Sequence, residues 1–245
     1  MEQNIDQNEI HILIRKMDEL IWSEVYHDTI RGSRWLDPKL AFSPGRGAIG
    51  YQMMYVLYRV LDEFCPESIL ELGMGQSTKM IGSYAAYKKE KTKHYVVEHD
   101  EEWINFFSNN FQLPVSTEIV RMDIEDISVE MGEGEDRHYT NVTQYAEFAS
   151  RLNGKRFDFI IIDGPYGYRS PEYSRIDILD ILPACLKEDF VILMDDCDRE
   201  GERQTCELIK LMLDDAAIQY YYRMYSGEKD VMMITSESLK FLCLM

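Results

Sequence analysis

The feature that most constrains this chain is a succession of short apolar runs after Pro66, each of strand length and each ending in Gly or an acid: "SILELG", "HYVVEHD", "STEIVRMD", "FDFIIIDGP" and "DFVILMDD". Helical patterns separate them. Strands alternating with helices imply right-handed crossovers, a parallel sheet, and loops gathered along the edge where the strands end. Two later runs, "QYYYRMYS" and "DVMMITS", have only "GEK" between them, too short for a crossover helix, and this predicts an antiparallel hairpin. The expected fold is α/β: a Rossmann-like, doubly wound sheet of seven strands, mostly parallel with a C-terminal antiparallel hairpin, plus N-terminal helices.

Upstream of the sheet, Ile10, Leu13, Ile14, Met17, Leu20, Ile21 and Val25 recur at steps of three and four, the period of an amphipathic helix. Its apolar face is expected to cover either its own sheet or a second copy of the chain, so a homo-oligomer is one outcome. "SPGRGAIGY" is a Pro/Gly loop leading into "YQMMYVLYRVLDEFC", a helical stretch of core residues closed by Pro66. The division is an N-terminal helical segment, 1–42, followed by one α/β domain, 43–245. The polar stretch "EMGEGEDRHYTN", Glu130 to Asn141, reads as a surface insertion.

With 26 basic against 44 acidic residues the formal net charge is −18, which repels phosphate backbones and anionic headgroups, so neither nucleic acid nor membrane is an expected partner. The N-terminus has charges scattered through its apolar positions, unlike a signal peptide or a membrane span. Five scattered cysteines without a C-x-x-C pair suit reduced thiols in a cytoplasm. No histidine stands at zinc-ligand spacing from them.

The chemistry is expected where the strands end. "ILELGMGQSTKMI" places a strand, Gly73-Met-Gly75 and a helix start at Ser77 in succession, so backbone can approach a nucleotide-like ligand while helix N–H groups face it. A glycine turn also serves tight strand–helix packing, and its neighbours tip the balance. Glu98 ends the next strand, 25 residues after Gly73, where a carboxylate can accept hydrogen bonds from both ribose hydroxyls. His99 follows it and could reach the crevice as a second base, stack on an adenosine edge, or simply be exposed. Asp123, after the third strand, either meets an adenine amino group or caps a following helix.

"ELGMGQST", with Glu71 two residues before Gly73, resembles the E/D-x-G-x-G motif of class I S-adenosylmethionine-dependent methyltransferases. The third glycine of the dinucleotide fingerprint is Thr78 here. The resemblance implies that Glu71 lies near the methionine end of S-adenosyl-L-methionine and that Gly73, Gly75 and Ser77 pass beside it. It further implies Glu98 at the ribose and Asp123 at the adenine, with residues 43–245 as the methyltransferase domain.

Strand four ends in "IIIDGPYGYRS", putting Asp163 at the sheet edge as a general base for an acceptor hydroxyl, or as a carboxylate fixing its own turn. Strand five empties into "DDCDREGE", Asp195 to Glu202, in which five of eight residues are acids. Asp195 and Asp196 are expected to join Asp163, while Asp198, Glu200 and Glu202 serve the start of a helix beginning at Asp198. Converging carboxylates repel unless a cation, an arginine or a shared proton offsets them, and a hard ion such as Mg²⁺ or Mn²⁺ on Asp163, Asp195 and Asp196 is one such solution.

The pattern is similar to catechol-type, metal-dependent O-methyltransferases, although the Asn of their Asp-Asn pair is Asp196 here. "FDFIIIDGPYGY" and "MDDCDREGE" also look like stretches of the glucuronoxylan 4-O-methyltransferase family, matching at Asp163, Gly164, Pro165, Gly167, Tyr168, Asp196, Asp198, Arg199 and Glu202. The His opening that family's second stretch is Asp195 here. This second resemblance implies a sugar hydroxyl, on a glycan or small molecule, as methyl acceptor. Tyr166, Tyr168, Arg169, Arg199 and Arg46 are the substrate-binding candidates, with ion pairing the alternative for Arg169, Arg175 and Arg199.

An NAD(P)-dependent oxidoreductase is the competing enzyme reading. Its Tyr-x-x-x-Lys signature occurs only as Tyr84 to Lys88, in the first helix after the loop and so on the wrong element. A catalytically silent cofactor-binding subunit is the non-enzyme reading, distinguished by whether arginines close off the three aspartates.

Overall fold

The computed structural model describes residues 7–45, 47–89, 91–132, 134 and 137–244. The main sheet takes β1 (Ser68–Leu72), β2 (Lys93–Glu98), β3 (Thr117–Arg121), β6 (Phe157–Ile162), β7 (Leu186–Met194), β8 (Tyr220–Ser226) and β9 (Asp230–Ser236). Its order is β3-β2-β1-β6-β7-β9-β8, parallel except for β9, which runs antiparallel to both of its neighbours. This is the Rossmann-like, doubly wound sheet with its C-terminal hairpin.

Strand order explains the composition of each run. β6 lies at the centre with both faces covered, and all six residues of "FDFIII" are buried, as a central parallel strand requires. One face packs on α2 (Tyr51–Arg59) and α3 (Gln76–Lys88) through Met53, Val56, Leu57 and Ile81. The other packs on α6 (Glu200–Asp215) through Cys206, Ile209 and Leu213. α4 (Glu101–Asn110) starts at an Asp100 cap, whose Oδ1 accepts from the Trp103 N–H at 3.0 Å. None of the five cysteines forms a disulfide. No helix among the described residues is long and apolar enough to cross a membrane.

The first helix departs from expectation. α1 (Gln7–Ile30) turns its aliphatic stripe outward: Leu13, Met17, Leu20 and Ile21 are 59%, 54%, 69% and 58% exposed. It docks by the opposite face instead. Trp22 Nε1 donates to Ser226 O at 2.7 Å, Arg15 pairs with Asp230 at 3.0 Å, Glu19 accepts from the Tyr51 N–H, and Tyr26 is buried. Periodicity located the helix but not its inner face, because polar side chains that meet specific backbone partners outweighed the aliphatic stripe.

The second departure follows β3. No helix follows Asp123; the chain forms an antiparallel ribbon of β4 (Ile124–Met131) and β5 (His138–Tyr145). The expected surface insertion is therefore partly strand, with Glu130 paired to Tyr139 and Met131 to His138 within it. Alternation in "IEDISVEM" and "HYTNVTQY" carries this ribbon, with Thr143 Oγ1 donating to Asp126 across it at 2.6 Å.

Candidate functional site

The loop between β1 and α3 shows why its two glycines differ. Gly73 has φ +92° and a Cβ there would lie 2.9 Å from the Asp163 carbonyl oxygen, so glycine is needed for conformation and for close approach to the turn after β6. At Gly75 a Cβ would meet nothing within 4 Å; its missing side chain opens onto free space. Thr78, in place of a third glycine, accepts the Gly75 N–H on its hydroxyl at 2.8 Å and fixes the first turn of α3. Ser77 is buried in that same turn.

Glu98 clamps this loop. Its Oε2 accepts the Met74 N–H at 2.9 Å, and its Oε1 accepts those of His99 and Asp100 at 2.7 and 2.9 Å. Burial alone would raise its pKa, but the His99 imidazole and these three N–H groups outweigh it and hold the carboxyl below its ordinary value. One lone pair remains on Oε2 for an external hydroxyl. Glu71 is fully buried with Oε2 2.9 Å from His94 Nε2, and its Oε1 has no partner. An open cradle at Gly75, a helix start and an unpartnered buried oxygen fit a ligand with hydroxyl and amino donors.

His99 stands edge-on to Tyr166, ring centroids 4.6 Å apart at 86°, with Arg169 5.2 Å above the Tyr166 ring and Tyr168 5.4 Å beside it. The three substrate-binding candidates of the β6 turn thus form one aromatic and cationic wall facing the end of β2. Asp123 is exposed and paired with Arg121 at 2.8 Å. Arg46 lies outside the described residues.

The acids after β6 and β7 converge: ligand-capable oxygens of Asp163, Asp195 and Asp196 lie within 4.8 Å of one another. Three cations reach them, Arg175 and Lys229 from remote segments and Arg199 from the same stretch as Asp196. Arg175 pairs with Asp196 at 2.7 Å, Asp163 at 3.3 Å and Glu202 at 3.7 Å. Arg199 pairs with Asp196 and, at 2.9 Å, with Glu202. Lys229, in the β8–β9 turn, lies 2.8 Å from Asp196 Oδ1 and 3.2 Å from Asp195 Oδ2.

The cluster splits its members electrostatically. Burial would raise Asp196, but Arg175, Lys229 and Arg199 prevail and lower it. Asp195 is raised by burial and by Asp163, with Oδ1 left unpartnered. Asp163 is also raised, burial outweighing Arg175. Of the three aspartate side chains, Asp163 is 23% exposed against 13% for Asp196 and none for Asp195, so it is the acid presented outward.

The expected division of "DDCDREGE" is corrected. α6 begins at Glu200 behind Arg199, not at Asp198, whose Oδ1 instead accepts the Asp230 N–H at 3.3 Å. Glu202, expected only to complement the helix dipole, is buried in the ion cluster. Asp195 and Asp196 both enter the cluster because Asp196 has φ +62°, which breaks the alternation of an extended chain. Arg175, its partner, has φ +61°. Such conformations cost about 1–3 kcal/mol each in a non-glycine residue and persist because the ion pairs hold them.

The cluster as it stands does not fit a divalent ion. A metal on these acids needs their facing oxygens, and the Lys229 ammonium already bridges Asp195 Oδ2 and Asp196 Oδ1 while Arg175 and Arg199 share Asp196 Oδ2. The oxidoreductase signature fails as well: Tyr84 is buried in the core, its hydroxyl donating to Pro66 O at 3.1 Å.

Lys229 was missed in the sequence, where "GEK" reads only as a turn. A lysine in a tight turn beside the strand that delivers acids was the available signal. Asp177 was also missed; it is buried and accepts the Tyr145 N–H.

No family model and no curated protein matches the chain. Among solved structures, it is similar to the O-methyltransferase from Bacillus cereus in complex with SAH, at 14% identity over 89% of this chain and 100% of that one, TM-score 0.49. It is also similar to the O-methyltransferase TomG from Streptomyces achromogenes in complex with SAM, at 15% identity over 88% of each chain, TM-score 0.47. SAH-bound Podospora anserina methyltransferase PaMTH1 gives 12% identity over 90% of this chain and 97% of that one, TM-score 0.48. At these scores the likeness assigns neither activity nor residues to this chain.

Proposed function

We propose that this chain is an S-adenosylmethionine-dependent O-methyltransferase acting on a hydroxyl of a sugar, glycan precursor or related small molecule. The observation that carries the reading is the packing of the Asp163 turn directly on the Gly73 loop, which puts an outward-facing carboxylate of raised pKa beside an open glycine cradle. The E-x-G-x-G motif beginning at Glu71 supports the choice of cofactor. When bound, S-adenosylmethionine supplies an electrophilic methyl carbon.

The chain's own residues supply the rest. The loop from Gly73 to Ser77 and the remaining lone pair of Glu98 hold the nucleoside. Asp163, whose carboxyl pKa is raised above its ordinary value by burial and restrained by Arg175 at 3.3 Å, would accept the proton of an acceptor hydroxyl. Tyr166, Tyr168 and Arg169 present ring faces and a guanidinium suited to a sugar, including an acidic one.

Calorimetry tests this directly: binding of S-adenosylmethionine without binding of NAD(P) is expected, and a folded protein that takes up no S-adenosylmethionine would sink it. Asp163→Asn should lower methyl transfer by about 10²–10⁴-fold while leaving cofactor affinity nearly unchanged. A silent cofactor-binding subunit is the second reading, favoured by the cation pairing of Asp195 and Asp196. It predicts cofactor binding with no transfer to any sugar acceptor, by wild type or variant.

A further inference from the structure

Lys229 is not a surface lysine that has strayed toward acids. Its side chain is 14% exposed, and its backbone is fixed from several directions. Gln52 Nε2 donates to Lys229 O at 2.6 Å, Gly227 N–H donates to the same carbonyl at 2.9 Å, and Glu19 Oε2 accepts the Glu228 N–H at 3.3 Å. Arg15 holds both Glu228 O and the Asp230 carboxylate, and Trp22 holds Ser226 O. A Cβ on Gly227 would lie 3.0 Å from the Gln52 and Glu19 side chains, so the turn sits tightly against α1 and α2. The outcome of this anchoring is an ammonium placed 2.8 and 3.2 Å from the carboxylates of the two residues that follow β7.

The charge arithmetic agrees. Asp163, Asp195, Asp196 and Glu202 face Arg175, Arg199 and Lys229, four acids against three cations. Without Lys229, Asp195 would have no side-chain cation and Asp196 would lose the partner of its Oδ1. The two freed oxygens, with Asp163 within 4.8 Å, are a hard-cation ligand set.

We propose that Lys229 is the tethered cation of this acid cluster, standing where a divalent ion would bridge Asp195 and Asp196, so that the site works without a metal and acquires one only when the lysine is removed. It is a positioning residue: it sets the arrangement of Asp195 and Asp196 beside Asp163, and α1 and α2 set Lys229. The proposal shares with the methyl-transfer reading only its location, because its test measures metal uptake with no cofactor present.

The experiment titrates Mn²⁺ and Mg²⁺ into the full chain by calorimetry and follows the thermal midpoint. Wild type should take up neither ion, with a midpoint indifferent to Mn²⁺ and to EDTA. Lys229→Met should gain a single Mn²⁺ site, at least about tenfold tighter than the weakest binding the titration can detect, since ligand charge sets affinity for hard cations. Asp196→Asn in that background should abolish the gain, and Lys229→Arg should behave as wild type. Should Lys229→Met be unstable alone, recovery of its midpoint by Mn²⁺ reads the same gain. Stoichiometric Mn²⁺ binding by wild type, or no gain in Lys229→Met, overturns the proposal.

Discussion

Glu98 and Asp196 stand at the same edge of the same sheet, one the last residue of β2 and one two residues past β7, yet they are held in opposite ways. Glu98 is satisfied by three backbone N–H groups, two of them from the next two residues. Asp196 is satisfied by charged side chains from residues 175, 199 and 229. Both carboxyls sit below their ordinary pKa despite burial. Two of the three Glu98 donors are local, whereas an ion cluster that draws Arg175 and Lys229 from distant segments is complete only when those segments have docked. The Glu98 side of the crevice should therefore be locally robust and the aspartate side globally dependent.

The largest test of that contrast is Arg175→Met. It strands Asp163, Asp196 and Glu202 with a reduced complement of cations, and breaking a buried pair this way costs about 3–5 kcal/mol. Chemical denaturation should show that loss, and a cost below about 1 kcal/mol would mean that the cluster contributes little to folding.

Next in size is a pH effect at Asp177, the buried acid that binds the Tyr145 backbone. Burial raises its carboxyl to about 7, against roughly 3.9 in an unfolded chain. The folded state then holds a proton that the unfolded state has released, so the contribution is fully present below about pH 4 and is lost as pH rises through 7. The swing amounts to up to about 4 kcal/mol. Asp177→Asn should flatten the stability profile in this window, and an unchanged slope would show that Asp177 titrates normally.

Glu98→Gln should be milder, about 1–2 kcal/mol, because an amide oxygen still accepts while the charge assistance is gone. Its effect on S-adenosylmethionine affinity should exceed its effect on unfolding. The reverse order would place Glu98 in the scaffold rather than at the ligand.

The smallest effects belong to α1. Leu20→Ser, on the exposed stripe, should stay within about 0.5 kcal/mol, whereas Trp22→Ala should cost several times more. A large loss at Leu20 would show that this face is covered in solution.

Much of the molecule was legible in advance. The strand runs, the hairpin around "GEK", the glycine loop, and the arrival of Asp163, Asp195 and Asp196 at one edge all follow from local pattern and the handedness of crossovers. The β4–β5 ribbon was not read, because Asp123 suggested a helix cap and the polar stretch from Glu130 to Asn141, which holds the ends of both strands, suggested a loop. The docking face of α1 was not read either, because aliphatic period identifies a helix face but not the specific partners that win it.

The sequence by itself determined which residues meet at the carboxyl edge of the sheet, since strand order and period fix where each strand emerges. Only the tertiary structure decided what neutralises the acids there. Arg175 and Lys229 lie 21 and 33 residues from Asp196 and reach it through turns whose placement depends on the whole packed molecule. Long-range electrostatic partners have no periodicity to betray them, and a lysine and an arginine from outside the acidic stretch reach this cluster only in the packed molecule.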